Sequence, residues 1–365
     1  MSFGIVIGPR VRKSPFYEAT VAAGVQSFTI YNHMYLPISY GDPAAEYQRL
    51  TEGVSLWDVA AQRQVEVRGP DAERLVRRLT PRELKRVEAG RCFYVPMCDH
   101  DGVLINDPVL LVLAEDRYWL SIADGDMLFW VQAVAREGGY DVEVCEPDVS
   151  PLAIQGPKAA DVMRDLFGGW VDEIKPFRFR EARLNGMPLV ISRTGWSKQG
   201  GYELFLQDST RGLELWERLF DAGRPYGIGP GAPNYVERVE SALLSYRADT
   251  DEDTDPLEAG LERFVNLERD DDFIGKQALK RRAQNPTRKL QGVVLDGSPI
   301  GPNQHPWPLS LDGERVGEVR AAAYSPRLER NLGLAMLSLA AGKSDREMDA
   351  DSEPGPRKAW VTPLP

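Results

Sequence analysis

The run ISRTGWSKQGGYELFL, residues 191–206, constrains the fold more than any other stretch of the chain. Two β-type runs, 189–193 and 202–206, flank a turn that holds Gly195, Gly200 and Gly201. Glycine there permits positive φ and close approach to the backbone. The pattern predicts an antiparallel hairpin with Trp196 and Lys198 in its turn. Alternation sends Tyr202 and Leu204 to one side of the second strand and Glu203 and Phe205 to the other. A carboxylate beside one aromatic and opposite another on a Gly-rich turn suits a flat heterocycle with an N–H edge. The plainer reading is a hairpin with a solvated Glu203 and a core Trp196.

The chain is long enough for two or three domains: 365 residues, 42% hydrophobic and 27% charged, in the range of globular proteins. A net charge of −11 and a pI near 5.0 argue against a nucleic-acid surface. Cys92, Cys98 and Cys145 contain no C-x-x-C pair, and an odd count suits a reducing compartment. Cys92, Cys98 and His100 match no usual zinc spacing, so no metal is expected. With no signal layout and no apolar run of about 18 residues, a cytoplasmic protein is expected.

Taken in order, residues 1–13 read as an arm that docks late or frays. The aromatic run 28–40 reads as a buried strand or a pocket lining, and its Tyr31, Asn32 and His33 each need a partner. His33 reads as a satisfied core histidine before a catalytic one. A helix is expected over 44–53, a single strand over 55–68, and a helix over 72–79 capped by Asp71. Strands follow at 92–97 and 103–113 around a turn at 99–102, then a strand at 118–122 and a helix at 125–137. Asp107, among apolar residues and before Pro108, is costly to bury and stands out as a functional acid. Strand 150–155 and helix 158–166 repeat the earlier grammar, and Gln155-Gly156-Pro157 echoes Arg68-Gly69-Pro70. Helices are expected at 213–222 and 235–244. From about residue 281 short strands at 289–295, 314–320 and 332–337 suggest a small all-β domain, with 344–358 a charged loop before a last strand near Trp360.

Several phrases, in order, resemble the folate-binding aminomethyltransferase superfamily, that of the glycine cleavage aminomethyltransferase. They are Leu56-Trp57-Asp58-Val59, Gly102-Val103-Leu104-Ile105-Asn106-Asp107, Leu152-Ala153-Ile154-Gln155-Gly156-Pro157, Thr194-Gly195 through Gly201-Tyr202-Glu203, Glu237-Arg238-Val239-Glu240-Ser241 and Asp272-Phe273-Ile274-Gly275-Lys276. Tyr324-Ser325-Pro326 carries the match toward the C-terminus. Within it, Tyr31-Asn32-His33-Met34 and Gly195-Trp196-Ser197-Lys198-Gln199-Gly200-Gly201 are most similar to tetrahydrofolate-dependent dimethylsulfoniopropionate demethylases. The resemblance implies an α+β, three-domain fold: folate-binding α/β domains around a central channel in residues 1–280, and a C-terminal β-barrel over 281–365. Two departures bear on the substrate. Arg247-Ala248-Asp249 stands where such enzymes carry Gly-Asn-Asp, and Phe205 where that subgroup often has tyrosine.

The resemblance further implies tetrahydrofolate as cosubstrate, with Glu203 on the pterin N–H edge, Asp107 near N5/N10, and Asn106, Ser121, Tyr202 and Arg238 as further folate contacts. Arg238 would brace Glu203 or Glu240. Methyl transfer from a sulfonium to N5 has a neutral leaving group, so it needs positioning above all. Aromatic faces suit the cation, at about 0.5–2 kcal/mol each; Trp196, Phe177, Phe179 and Tyr31 are the candidates. Lys13, Tyr31 and His33 are candidates for the donor's carboxylate, and Asp107, Trp196 and Tyr31 for the catalytic centre. Partners are then a small methyl donor and folate, with neither nucleic acid nor membrane; a homodimer stays open. Aminomethyl transfer, demethylation of another donor, and non-catalytic folate binding remain alternatives. The parent family's paired acids at 106–107 are here Asn106-Asp107, which weakens the first.

Overall fold

The alternation in the central run does produce an antiparallel pair: Met187–Ser192 against Gly201–Leu206, with Ser192 opposite Glu203 and Leu189 opposite Leu206. The computed structural model describes residues 7–343, 346–353 and 355–363. The chain divides into two units. One comprises Met1–Ala72, Val87–Phe93 and Val109–Asn234; the other comprises Glu73–Arg86, Tyr94–Pro108 and Tyr235–Pro365.

In the first unit the central pair lies in a six-stranded sheet. Its order is Phe179–Leu184, Met187–Ser192, Gly201–Leu206, Ser150–Gln155, Ser55–Asp58 and Gly229–Gly231. Tyr202, Leu204, Leu206, Ile191 and Ile154 join a core that also takes Val162 and Met163 of the helix Ala159–Phe167 and Leu215 and Leu219 of Gly212–Gly223. The opposite face sends Phe205 and Val190 against Trp119 and Leu111 of a second, five-stranded sheet. The Trp119 and Phe205 rings lie 6.2 Å apart. Both faces of the site strand are therefore covered, and burying a side chain such as Phe205 contributes roughly 1.5–3 kcal/mol. The echoed Gly-Pro steps are alike in geometry too: Gly69 and Gly156 both follow a strand at positive φ, 137° and 118°.

In the second unit six strands close into a barrel. Their order is Arg288–Leu295, Arg330–Ser338, Glu314–Ser325, Trp307–Leu311, Met348–Ser352 and Gly355–Thr362. Val293, Leu309, Val319, Ala335, Leu337 and Met348 fill its interior. The change of character expected near residue 281 falls inside the helix Lys276–Gln284, and the first barrel strand starts at Arg288.

Several expectations need correction. The 55–68 run is two strands, Ser55–Asp58 and Gln64–Arg68, in different sheets, because Asp58 turns the chain by accepting from the Ala60 N–H at 3.1 Å. The 103–113 run is also two strands, Leu104–Asn106 and Val109–Ala114. Pro108 separates them; it has no N–H for a ladder, and its carbonyl accepts from Val95 at 2.8 Å. Likewise 92–97 splits into Arg91–Tyr94 and Met97–Cys98. The helix expected over 235–244 spans only Tyr235–Glu240. Ala242 adopts φ 49°, and the Leu243 N–H returns to the Arg238 carbonyl at 2.9 Å, a left-handed stop without glycine. The 344–358 run is no loop where described: Met348, Ala350 and Ser352 alternate inward between exposed acids, a period of two that the charges disguise. Positions 344, 345 and 354 lie outside the described residues, as do 1–6 of the N-terminal arm. The rest of that arm is held: Arg12 exchanges backbone hydrogen bonds with His33 and Tyr35 and pairs with Glu146 at 2.9 Å.

Candidate functional site

Glu203 is only 7% exposed, so the solvated-carboxylate reading fails. A buried carboxylate is costly without a donor. Its donor is the Thr194 hydroxyl, across the hairpin mouth. Thr194 Oγ1 lies 2.9 Å from Ser192 Oγ, which lies 3.4 Å from Cys92 Sγ. Burial pushes the Glu203 carboxyl above its usual range, and the Thr194 hydrogen bond opposes that. Burial also pushes the Cys92 thiol up to about 12, so it stays protonated.

The glycine turn above Glu203 has a specific cause. Gln155 lies beneath it, its Nε2 donating toward the Tyr202 and Thr194 carbonyls at 3.4 and 3.5 Å and its Oε1 accepting from Ser197 Oγ at 2.8 Å. A Cβ on Gly195 would sit 2.3 Å from Gln155 Nε2, and one on Gly201 would sit 2.2 Å from the Ile154 carbonyl. The turn must therefore be glycine at both points, and it holds Trp196 half-buried rather than in the core.

Other expected residues of this unit fall into three groups. Tyr31 and Ser121 are half-buried; Tyr31 ends the hairpin strand Ser27–Tyr31, and Ser121 Oγ accepts from Gln64 Nε2 at 3.0 Å. Phe177 is 47% exposed and held at φ 56°, an uncommon conformation that keeps its ring accessible. Tyr202 and Phe179 are core instead. Tyr202 points away from Glu203, as the strand period requires, and its hydroxyl donates to the Val171 carbonyl at 3.3 Å. Phe179 packs with Cys92, Trp119 and Phe205, so its face is already covered.

The run around Tyr31 is a two-stranded hairpin with Asn32 and His33 at φ 50° and 59° in its turn. His33 is exposed rather than core, 3.2 Å from Asp126 Oδ1. Asn32 is the buried member. Its Nδ2 donates to the Ala61 and Ala123 carbonyls at 2.9 and 3.1 Å, and its Oδ1 accepts from the Gly125 N–H at 2.8 Å. Lys13 pairs with Glu18 at 2.8 Å on the surface, beside the Tyr17 ring.

The second unit holds the other candidate acids. Asp107 is half-buried by accessibility yet densely surrounded by protein, and burial pushes its carboxyl up to about 7 against the opposing pull of the Tyr94 hydrogen bond. Tyr94 Oη donates to Asp107 Oδ2 at 2.7 Å, and its ring meets Phe264 edge-on at 4.9 Å. Asn106 beside it is fully buried. Among the described residues the carboxylate that Arg238 meets is Asp249, not the expected glutamates. Arg238 Nη1 lies 2.8 and 3.1 Å from the two Asp249 oxygens, and both side chains are almost inaccessible. Glu240 takes Arg327 at 2.9 Å and the Ser325 hydroxyl. Of the Arg247-Ala248-Asp249 departure, then, the retained aspartate is the one that neutralises a buried guanidinium. Sequence reasoning missed Thr194, Tyr94 and Asp249 as partners. Thr194 stands nine residues before Glu203, and only the hairpin register joins them.

Among the described residues no helix is long and apolar enough to cross a membrane. The GCVT N-terminal domain matches residues 16–269, and the glycine cleavage T-protein C-terminal barrel domain matches 288–365. The chain is 44% identical over 353 residues to the dimethylsulfoniopropionate demethylase DmdA of Ruegeria pomeroyi, covering 96% of each. It is 32% identical to an aminomethyltransferase of Symbiobacterium thermophilum, covering 97% of each. The glycine cleavage system aminomethyltransferase T from Bartonella henselae superposes with a TM-score of 0.86 at 22% identity, over 97% of this chain and 98% of that one, and so shares its fold. This family uses tetrahydrofolate as cosubstrate. With both of its domain patterns matched along a mixed α/β body and a closed six-stranded barrel, the chain belongs to the glycine cleavage T-protein family of folate-dependent enzymes.

Proposed function

We propose that this protein is a tetrahydrofolate-dependent demethylase. It moves a methyl group from a sulfonium donor such as dimethylsulfoniopropionate to N5 of tetrahydrofolate, giving methylmercaptopropionate and 5-methyltetrahydrofolate. The observation that carries the reading is the 44% identity to a demethylase of that substrate along 96% of both chains, against 32% to an aminomethyltransferase. The residues fit. Among the described residues Glu203 accepts from the Thr194 hydroxyl on one oxygen, and a carboxylate's further lone pairs keep acceptor capacity for an N–H edge. We assign the pterin edge to it. Trp196, Phe177 and Tyr31 offer aromatic surface to a cation, and Trp196 is the preferred one. Asp107, with its carboxyl near 7, suits the uptake of the proton that N5 loses as it gains a methyl. Asn106 and Ser121 remain candidate folate contacts. Free Cys92, Cys98 and Cys145 suit a cytoplasmic setting.

Aminomethyl transfer is the second reading, supported by the 32% relatives and disfavoured by Asn106 in place of an acid. The test is mass spectrometry of folate products across sulfonium, betaine, sarcosine, aryl-ether and aminomethyl donors. Formation of 5-methyltetrahydrofolate from the sulfonium alone is expected. A methylene-bridged folate from the aminomethyl donor would select the second reading, and folate binding without turnover would reduce the protein to a binder.

A further inference from the structure

With Glu203 ionised, the shortest contacts in the polar chain behind it set a direction. An ionised carboxylate accepts and cannot donate. Thr194 has a single hydroxyl proton, and it points to Glu203 Oε2. With the Thr194 proton on Glu203, the 2.9 Å contact between Thr194 Oγ1 and Ser192 Oγ takes its proton from Ser192. The Arg178 carbonyl, at 3.5 Å, is the weaker acceptor for the Ser192 proton. The Ser192 oxygen in turn faces the protonated Cys92 thiol at 3.4 Å. Hydrogen bonds thus run from Cys92 to Ser192 to Thr194 to Glu203 and end on one carboxylate oxygen. Ser192 ends its strand directly opposite Glu203 and Thr194 follows two residues later, so one hairpin brings these three groups together. Cys92 reaches Ser192 from the strand Arg91–Tyr94 of the five-stranded sheet.

We propose that Thr194 is a positioning residue: its hydroxyl, held by Ser192, fixes the Glu203 carboxylate and leaves the other oxygen to receive the N–H edge of the folate. This rests on the assignment of Glu203 to the pterin. Thr194 does not touch the folate; it acts through Glu203. A buried carboxylate stripped of its donor would protonate or rotate toward another partner, and either change removes the acceptor the ligand needs.

The test uses the full chain, with tetrahydrofolate titrated calorimetrically into wild type, Thr194→Val, Thr194→Ser, Glu203→Gln and the Thr194→Val/Glu203→Gln double variant. Thr194→Val keeps the shape and removes the donor, and its Kd should rise about ten- to a hundredfold, the scale of a hydrogen bond to a charged group. Thr194→Ser restores the hydroxyl and should return the Kd close to wild type. The double variant should bind no worse than Glu203→Gln alone. In turnover, KM for folate should rise in Thr194→Val while KM for the sulfonium donor stays. Wild-type affinity in Thr194→Val beside weak binding in Glu203→Gln would overturn the role of Thr194 and leave the Glu203 assignment standing. Unchanged affinity in Glu203→Gln would remove that assignment and this inference with it. Should Thr194→Val melt below the assay temperature, Thr194→Ala beside Thr194→Ser decides: weak binding in the alanine variant with wild-type binding in the serine variant upholds the proposal, and equal binding in both overturns it.

Discussion

Asp107→Asn should stabilise the protein, increasingly so as pH rises from about 4 to 7. The aspartate ionises near 3.8 in an unfolded chain, whereas burial holds it at about 7 in the folded one. Below 3.8 both states keep the proton, and the side chain makes no pH-dependent difference. As pH rises, the unfolded chain releases its proton first, so wild-type stability falls until the folded carboxyl also ionises near 7. A shift of about three units at 1.36 kcal/mol per unit is on the order of 4 kcal/mol. Asparagine can still accept from Tyr94 Oη through Oδ1, so the comparison isolates the charge. Thermal melts of both proteins at pH 4, 6 and 8 read the effect. If it falls on one cooperative unit, the variant's advantage should reach about 8–16 °C by pH 8. Melting curves offset equally at every pH would refute the reasoning, as would a wild type that gains on the variant with rising pH. If Asp107 also takes the N5 proton, the same variant loses the limb near pH 7 in the kcat/KM profile.

Three further outcomes are expected. Trp196→Ala should raise KM for the cationic donor far more than KM for folate; equal rises would remove the cation-binding role of the indole. Arg238→Met leaves Asp249 buried without its counter-charge and should cost about 3–5 kcal/mol in chemical denaturation, much of it recovered in Arg238→Met/Asp249→Leu. Absence of recovery would mean that the pair is not the source of the loss. Gly201→Ala should disrupt the site more than Gly195→Ala, because the new methyl meets the Ile154 backbone carbonyl in the first and the Gln155 side chain in the second. Backbone cannot yield as a side chain can, and near-ultraviolet circular dichroism of Trp196 would report the difference.

Helix and strand positions were legible wherever the pattern was strong, as in Pro43–Glu52, Ser150–Gln155 and Met127–Glu137. They were illegible where a local device cut a smooth pattern: Asp58, Pro108 and the left-handed Ala242 each ended an element that composition would have continued. The barrel strand Met348–Ser352 was hidden because its outward residues are acids and its inward ones small. Of the expected ligand groups, Glu203 and Asp107 were found as carboxylates in apolar runs. Tyr202, a folate contact by resemblance, and Phe179, a candidate aromatic face for the cation, are core instead, since core packing uses aromatics as readily.

The order of residues alone determined the central hairpin, the side of the strand that Glu203 faces, the family phrases and hence the fold. These follow from backbone periodicity and from motifs contiguous in the chain. The tertiary structure decided what covers each face, and so which polar groups lose water and need partners. It set Thr194 on Glu203, Tyr94 on Asp107 and Asp249 on Arg238, pairings separated by 9, 13 and 11 residues. A hydrogen bond acts over about 3 Å, and separations along the chain say nothing of that distance until register and packing have brought the groups together.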